Sequence, residues 1–248
     1  MGAIYIMWLR QLKRYFRSRS RVIGALGQPL LFLLALGYGF GSVFKQAGQG
    51  DYISFLVPGI IAMSVLFTSL SAGIEIIWDR QFGFLKETLV APVSRLQIMA
   101  GRTIGGATLA IFQAIVVLLL SLFVGFKVPG ISSFLMALIF MVLVALIFTA
   151  LGTAIASRMQ DFHGFQLIMN FLVMPLFFLS GAVFPMQNLP KLLDVIVRIN
   201  PLSYGVDGIR GAFSGVFHYG QSLDLLVLVS IAAVLLAIGS YMFSKIQI

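Results

Sequence analysis

Much of what chemistry in a soluble protein requires is missing from this chain. It has no cysteine, two histidines and only 10% charged residues, where an ordinary globular domain carries about 25%. Without cysteine there is no disulfide framework, no thiolate metal site and no cysteine nucleophile. No HExxH segment occurs, and no glycine is followed by lysine, so the GxxxxGK[ST] phosphate loop is excluded too. Eight acidic residues face seventeen Lys and Arg, a net charge of +9. In a water-soluble protein that surplus would suggest nucleic acid as a partner, but these charges are too few to make a solvated surface.

What the 248 residues do contain is apolar: 60% are hydrophobic. Six apolar runs lie near 22–44, 53–77, 104–126, 131–157, 165–185 and 224–244. Each is long enough to cross a hydrocarbon core of about 30 Å as a helix, and too long and continuous for the strands of a barrel. The expected fold is an all-α integral membrane domain spanning 1–248, with six transmembrane helices. The first run follows a basic stretch but exceeds the apolar core of a signal peptide and has no evident cleavage site, so it is expected to be retained.

Orientation follows from the cations. Arg10, Lys13, Arg14, Arg17, Arg19, Arg21, Arg80, Lys86, Arg95, Arg102, Arg158 and Lys245 fall on one side of the predicted spans, and Lys45, Lys127, Lys191, Arg198 and Arg210 on the other. Positive residues stay cytoplasmic, so a multi-pass protein of the cell membrane with both termini in the cytoplasm is expected. Residues 2–21 read as an amphipathic interfacial helix, with Ile4, Trp8, Leu9, Leu12, Tyr15 and Phe16 on one side and the cations elsewhere. It serves as an anchor on anionic lipid or as a docking surface for a cytoplasmic partner.

Few polar groups interrupt the spans. Glu75 lies near the cytoplasmic end of the second, where it either pairs with a nearby cation or changes partners during gating. Asn170 is expected to hydrogen-bond between helices, and Pro29 and Pro175 to kink theirs. His163 and His218 fall on opposite sides, which excludes a joint metal site. Ser180 has no histidine in a later span to act as its base, so Ser180-Gly181 reads as small-residue packing rather than as a nucleophile. No catalytic residue, metal ligand or cofactor site is expected.

Two blocks carry a family resemblance. The first is Phe82-Gly83-Phe84-Leu85-Lys86-Glu87, then Leu89 and Ala91-Pro92-Val93-Ser94-Arg95. The second is Leu179 to Pro185 (LSGAVFP), Asn188-Leu189-Pro190 and Asn200 to Arg210 (NPLSYGVDGIR). In this order, with six spans, the chain resembles the permease subunits of ABC-2 type exporters, which include drug, polysaccharide and lipid exporters. The resemblance implies coupling to a separate ATPase through Gly83, Phe84, Leu85, Lys86, Glu87, Thr88 and Arg95, with Arg158 and Asp161 in a second contact. It implies re-entrant helices between spans five and six that cap the path on the outside, formed around Asn200, Pro201, Tyr204, Asp207 and Arg210. From the residues alone, Pro92 breaks the 83–95 segment into two short helices, and Asp207 and Arg210, at i and i+3, can pair. Phe32, Tyr38, Phe40, Phe177 and Phe178 offer aromatic surface near the path.

The implied partners are two copies of an ABC ATPase subunit carrying ATP and Mg²⁺, a second copy of this chain or a close relative, and membrane lipid, with no nucleic acid. A self-sufficient secondary transporter or channel remains the alternative; it would normally need intramembrane charges or an inverted repeat.

Overall fold

The computed structural model describes residues 2–46, 51–90, 92–186 and 189–244, without the side chains of Arg21, Lys45, Lys86, Leu89 and Ser244. Lys245, Ala91 and Asn188, used above for orientation or motif, lie outside the described residues, as do those five side chains.

Among the described residues the structure has eleven α-helices and no strand. They are α1 (Gly2–Arg17), α2 (Arg19–Gln46), α3 (Tyr52–Ser71), α4 (Ile74–Gln81), α5 (Phe84–Val90), α6 (Arg95–Phe123), α7 (Ile131–Arg158), α8 (Phe162–Phe178), α9 (Lys191–Ile199), α10 (Pro201–Ser214) and α11 (Gln221–Ser244). Five stretches are long and apolar enough to cross a membrane: Val22–Phe44, Tyr52–Gln81, Arg95–Phe123, Ile131–Arg158 and Gln221–Phe243.

Five of the six expected spans are among these stretches, and the other is a shorter apolar helix. The fifth, placed at 165–185, is the 17-residue helix α8, about 26 Å long at 1.5 Å per residue. It ends at Phe178 because the next residues turn: Gly181 takes φ +71°, and the Ser180 hydroxyl donates to the Phe177 carbonyl at 2.6 Å. The third span starts at Arg95 rather than near 104. Ser94 accepts the Gln97 N–H while the Gln97 side chain returns to the Ser94 N–H, a capping box that begins the helix a full two turns before its apolar run. The second continues past 77 to Gln81, with a break at Ala72 and Gly73 between α3 and α4. Pro92 falls in the expected break, between α5 and α6.

α3 forms the centre. Leu56, Val57, Ile60, Ile61, Val65 and Leu66 are fully buried, packed by α2, α6, α7 and α10. Glycines set the closest approaches. A methyl group on Gly152 of α7 would stand 2.5 Å from the Leu70 carbonyl oxygen, and one on Gly73 would meet the Gly152 carbonyl. The α3–α4 break thus rests directly on α7 backbone. By contrast α2 and α11 are mostly exposed, with Leu31, Leu34, Leu226 and Val229 on open faces; apolar surface of that extent belongs against lipid or another helix.

Gly152→Ala is expected to lower stability by about 1–3 kcal/mol, the usual cost of overpacking a tight contact. Gly39→Ala, where nothing lies within 4 Å, is expected to leave the thermal midpoint of the detergent-purified protein unchanged; equal midpoints for the two variants would show that the α3–α7 contact yields.

Candidate functional site

At the end of the bundle where α1, α4 and the start of α6 meet, here termed the basic end, one carboxylate gathers three guanidinium groups. Arg10 Nη2 and Arg14 Nη1 of α1 donate to Asp79 Oδ1 at 3.0 and 3.1 Å, and Arg102 Nη2 of α6 donates to Oδ2 at 2.5 Å. Asp79 and Arg102 are buried, whereas Arg10 and Arg14 remain about one-third exposed. Arg10 and Arg14 are one turn apart on α1, so a single acid on α4 can take both. Two of the cations of α1 are thus turned to the bundle rather than to lipid. Its bundle-facing side carries Gln11 and Tyr15, both buried, because α6 offers a groove at Gly101 and Gly105: methyl groups there would run into Met7 and the Gln11 amide oxygen. Trp8 Nε1 donates to Thr108 Oγ1 at 3.1 Å and the Tyr15 hydroxyl to Gln113 Oε1 at 2.9 Å, which fixes α1 along α6. Glu75, one turn before Asp79, is also buried.

Beyond Asp79, Arg80 Nη1 and Nη2 donate to the Met159 and Ser157 carbonyls at 2.5 and 3.0 Å, meeting the open C-terminal carbonyls of α7. Trp78 stacks on Phe162 with centroids 6.0 Å apart. The 158–161 turn is thereby held beside α4, and both segments singled out for coupling lie at one end. Gly83 takes φ +80° between α4 and α5, a conformation that favours glycine. In α5, Leu85 is buried as the anchor; Phe84, Glu87 and Val90 are exposed, as is Phe82 just before it. The Thr88 hydroxyl donates to the Phe84 carbonyl at 2.8 Å, and the Arg10 guanidinium lies 5.8 Å from the Phe84 ring centre. Arg95 and Arg158 are exposed. Asp161 caps α8 by accepting the Gly164 N–H at 2.6 Å, and that hydrogen bond holds its carboxyl below the usual carboxylate range.

The opposite end is built on carbonyls. The Asn200 amide donates to Leu176 and Leu179 oxygens at 2.7 and 3.0 Å, and its own oxygen caps α10 at the Leu202 N–H, with Pro201 in the first turn. The Tyr204 hydroxyl donates to the Arg198 carbonyl at 2.8 Å. Arg210 donates to the Phe55 and Gly181 carbonyls at 3.2 and 2.9 Å and lies 3.9 Å over the Phe55 ring. Burial pulls its guanidinium down to about 10, opposed by Asp207 and Tyr52, so it stays charged at neutral pH. Asp207 accepts the N–H groups of His218 and Tyr219. The expected Asp207–Arg210 pair is thus corrected: each side chain satisfies backbone groups in a different connection.

Of the aromatic set, Phe177 is fully buried, its ring 6.0 Å from Phe32 and 5.2 Å from Phe178. Tyr38, Phe40 and Phe178 are exposed. Asn170 is exposed on α8 and makes no hydrogen bond among the described residues.

A family model described as ABC-2 type transporter matches residues 2–214. The chain belongs to that family. Among its relatives, this ABC-2 chain is 29% identical to the putative transport permease ycf38 of Cyanophora paradoxa, over 95% of its own length and 84% of the relative's. It is 28% identical to the inner membrane transport permease YadH of Escherichia coli K12, over 86% and 84%, and 28% identical to nodulation protein J of Rhizobium leguminosarum bv. trifolii, over 85% and 78%. With its long apolar helices, the ABC-2 chain is a multi-pass membrane protein.

Motif reading of this ABC-2 chain missed Asp79 and Arg102 as site residues. A signal was available: among eight acids against seventeen bases, Asp79 stands one turn after Glu75 at the end of an apolar run. Removing one partner of a buried charge pair costs about 3–5 kcal/mol. Asp79→Ala is expected to lower stability by that order and to release α1, so that trypsin cuts at Lys13 and Arg17 many times faster. A chain cut at the wild-type rate would show that packing on Gly101 and Gly105 alone holds α1.

Proposed function

We propose that this chain is the membrane-spanning subunit of an ATP-driven exporter, with ATP and Mg²⁺ held by two copies of a separate ABC ATPase subunit. The reading rests chiefly on one juxtaposition: α5, with Phe82, Phe84, Glu87 and Val90 exposed, and the 158–161 turn stand together on a base cross-linked by Asp79 and Arg80. A rigid platform presenting mixed apolar and charged groups suits a protein partner. The lack of any phosphate loop in the chain is the reason the partner must supply ATP chemistry. The concentration of cations at this end supports a cytoplasmic placement for it and for both termini.

Closure of the ATPase pair bears on Gly83 to Thr88 and Arg95, and Asp79 carries the displacement to α1 and α6. Because α4 continues α3 after a short break, the same displacement reaches Phe55 and, through Arg210, the opposite end. Coupling here is a difference in ATPase binding energy between two states of the permease. α9 and α10, too short to span, form the external cap as re-entrant helices around Asn200 and Pro201. The exposed apolar faces of α2 and α8 support a homodimer with the path between protomers, with Tyr38, Phe40 and Phe178 available to an amphipathic or hydrophobic cargo such as a drug, lipid or glycan.

Glu87→Lys in the complex with its ATPase is expected to cut ATP-dependent transport into liposomes by about tenfold or more while leaving the thermal midpoint of the permease unchanged. Equal transport by the permease alone, without nucleotide, would overturn the assignment. Since the chain has no cysteine, orientation can be read directly: Ser214→Cys should react with an impermeant maleimide on intact cells, and Val90→Cys only after lysis.

A further inference from the structure

Near the basic end, α1, α2, α3 and the start of α4 enclose a cavity of about 380 Å³, the size of a small-molecule site. Its α2 and α3–α4 walls belong to the stretches Val22–Phe44 and Tyr52–Gln81, so it lies at membrane depth. The polar part of its lining is uncommitted. Pro29, inside α2, has no N–H to give the carbonyl of Ala25, which also lines the cavity. Gln11 is only 5% exposed, yet its amide oxygen has no partner. The side chains of Gln28, Thr68 and Ser71 make no hydrogen bond among the described residues. Polar groups left open at such a depth are costly.

The lining also selects the charge of an occupant. Among the described residues Glu75 is its only acid or base, and Glu75 borders as well the adjoining crevice that holds Arg10, Arg14 and Arg102. A phosphate would meet no cation in this lining, and an ammonium group would compete with those guanidinium groups for Glu75. What remains is amide, hydroxyl and carbonyl, which donate and accept without charge. Phe67 and Leu109 supply apolar wall, as does Tyr15, whose hydroxyl donates to Gln113 at 2.9 Å. On α2 the wall is low: Gly24 is exposed, and nothing lies within 4 Å of a methyl group placed on it.

We infer that this cavity holds the head of an uncharged lipid of the cytoplasmic leaflet, with its hydroxyl and ester groups bonded to Gln11, Gln28, Thr68 and Ser71 and its chains leaving over Gly24. The site lies within one protomer and uses none of Tyr38, Phe40 and Phe178, the aromatic residues offered to cargo. It goes beyond the transport reading and takes from it only the cytoplasmic side. Its consequence is mechanical. α2 packs chiefly on α3 and little on α1, so a lipid bonded to Gln11, Gln28 and Thr68 ties α2 to the helix that Asp79 fastens at the basic end.

The full chain in phosphatidylcholine nanodiscs tests this without ATPase, nucleotide or cargo, so that a failure here leaves the transport reading standing. With Phe67→Trp as reporter, read as the difference from the chain carrying only Trp8 and Trp78, dioctanoylglycerol should give a saturable change in emission. Half-saturation is expected at a mole fraction about tenfold or more below that for dioctanoyl phosphatidic acid or dodecyltrimethylammonium. Adding Gln28→Leu and Thr68→Val should raise it by about tenfold or more while the thermal midpoint holds. In the wild-type chain, a dioctanoylglycerol carrying a diazirine near its head should label residues 24–29 and 67–75 in preference to the exposed face of α11. The headgroup comparison and the labelling leave every polar residue of the site in place. Absence of saturation, equally tight binding of either charged amphiphile, labelling spread evenly over α2 and α11, or unchanged binding in the folded polar variant each overturns the proposal.

Discussion

Asp79 is the constraint on which the rest of the basic end depends. Arg102 is buried inside the third long apolar helix, and a buried guanidinium is tolerable only with its charge answered nearby. Asp79 supplies that answer from α4, and because a carboxylate has room for more than one donor it also takes Arg10 and Arg14 from α1. One acid therefore fixes three helices relative to each other. From α4, Asp79 reaches α6 while Arg80 reaches the end of α7.

The opposite end solves the same problem with different groups. α8 stops short at Phe178, and its last carbonyls would stand open in a medium with little water to receive them. Asn200 takes Leu176 and Leu179, while Arg210 takes Gly181 and reaches across to Phe55 of α3. α10 is thus stitched to the central helix by hydrogen bonds to backbone. Side-chain packing against α3 and α7 adds the rest, with Leu202, Val206 and Ile209 fully buried.

The long helices were legible because apolar length is a direct physical requirement for crossing a bilayer, and the segment around Asn200 and Pro201 was marked by the family resemblance. Helix ends were read less well. Apolar runs do not register a capping box such as Ser94 with Gln97, which extends α6 back through Arg95 and Arg102, nor the turn that ends α8 at Phe178. The i, i+3 spacing of Asp207 and Arg210 marked two residues that matter but misassigned their partners, since helical proximity says nothing about a carbonyl on another segment.

By itself the sequence determined the class of protein: apolar length made it a multi-pass helical membrane chain, and ordered motif blocks named the family. Only the tertiary structure decided which charges answer each other. Asp79 and Arg102 are 23 residues apart, Arg210 and Phe55 are 155 apart, and neither pairing has a periodicity that a linear reading can detect. In a bilayer the cost of an unanswered charge or carbonyl is high, so these long-range pairings are set by which polar groups the packed helices bring together, a property of the whole bundle and of no single segment.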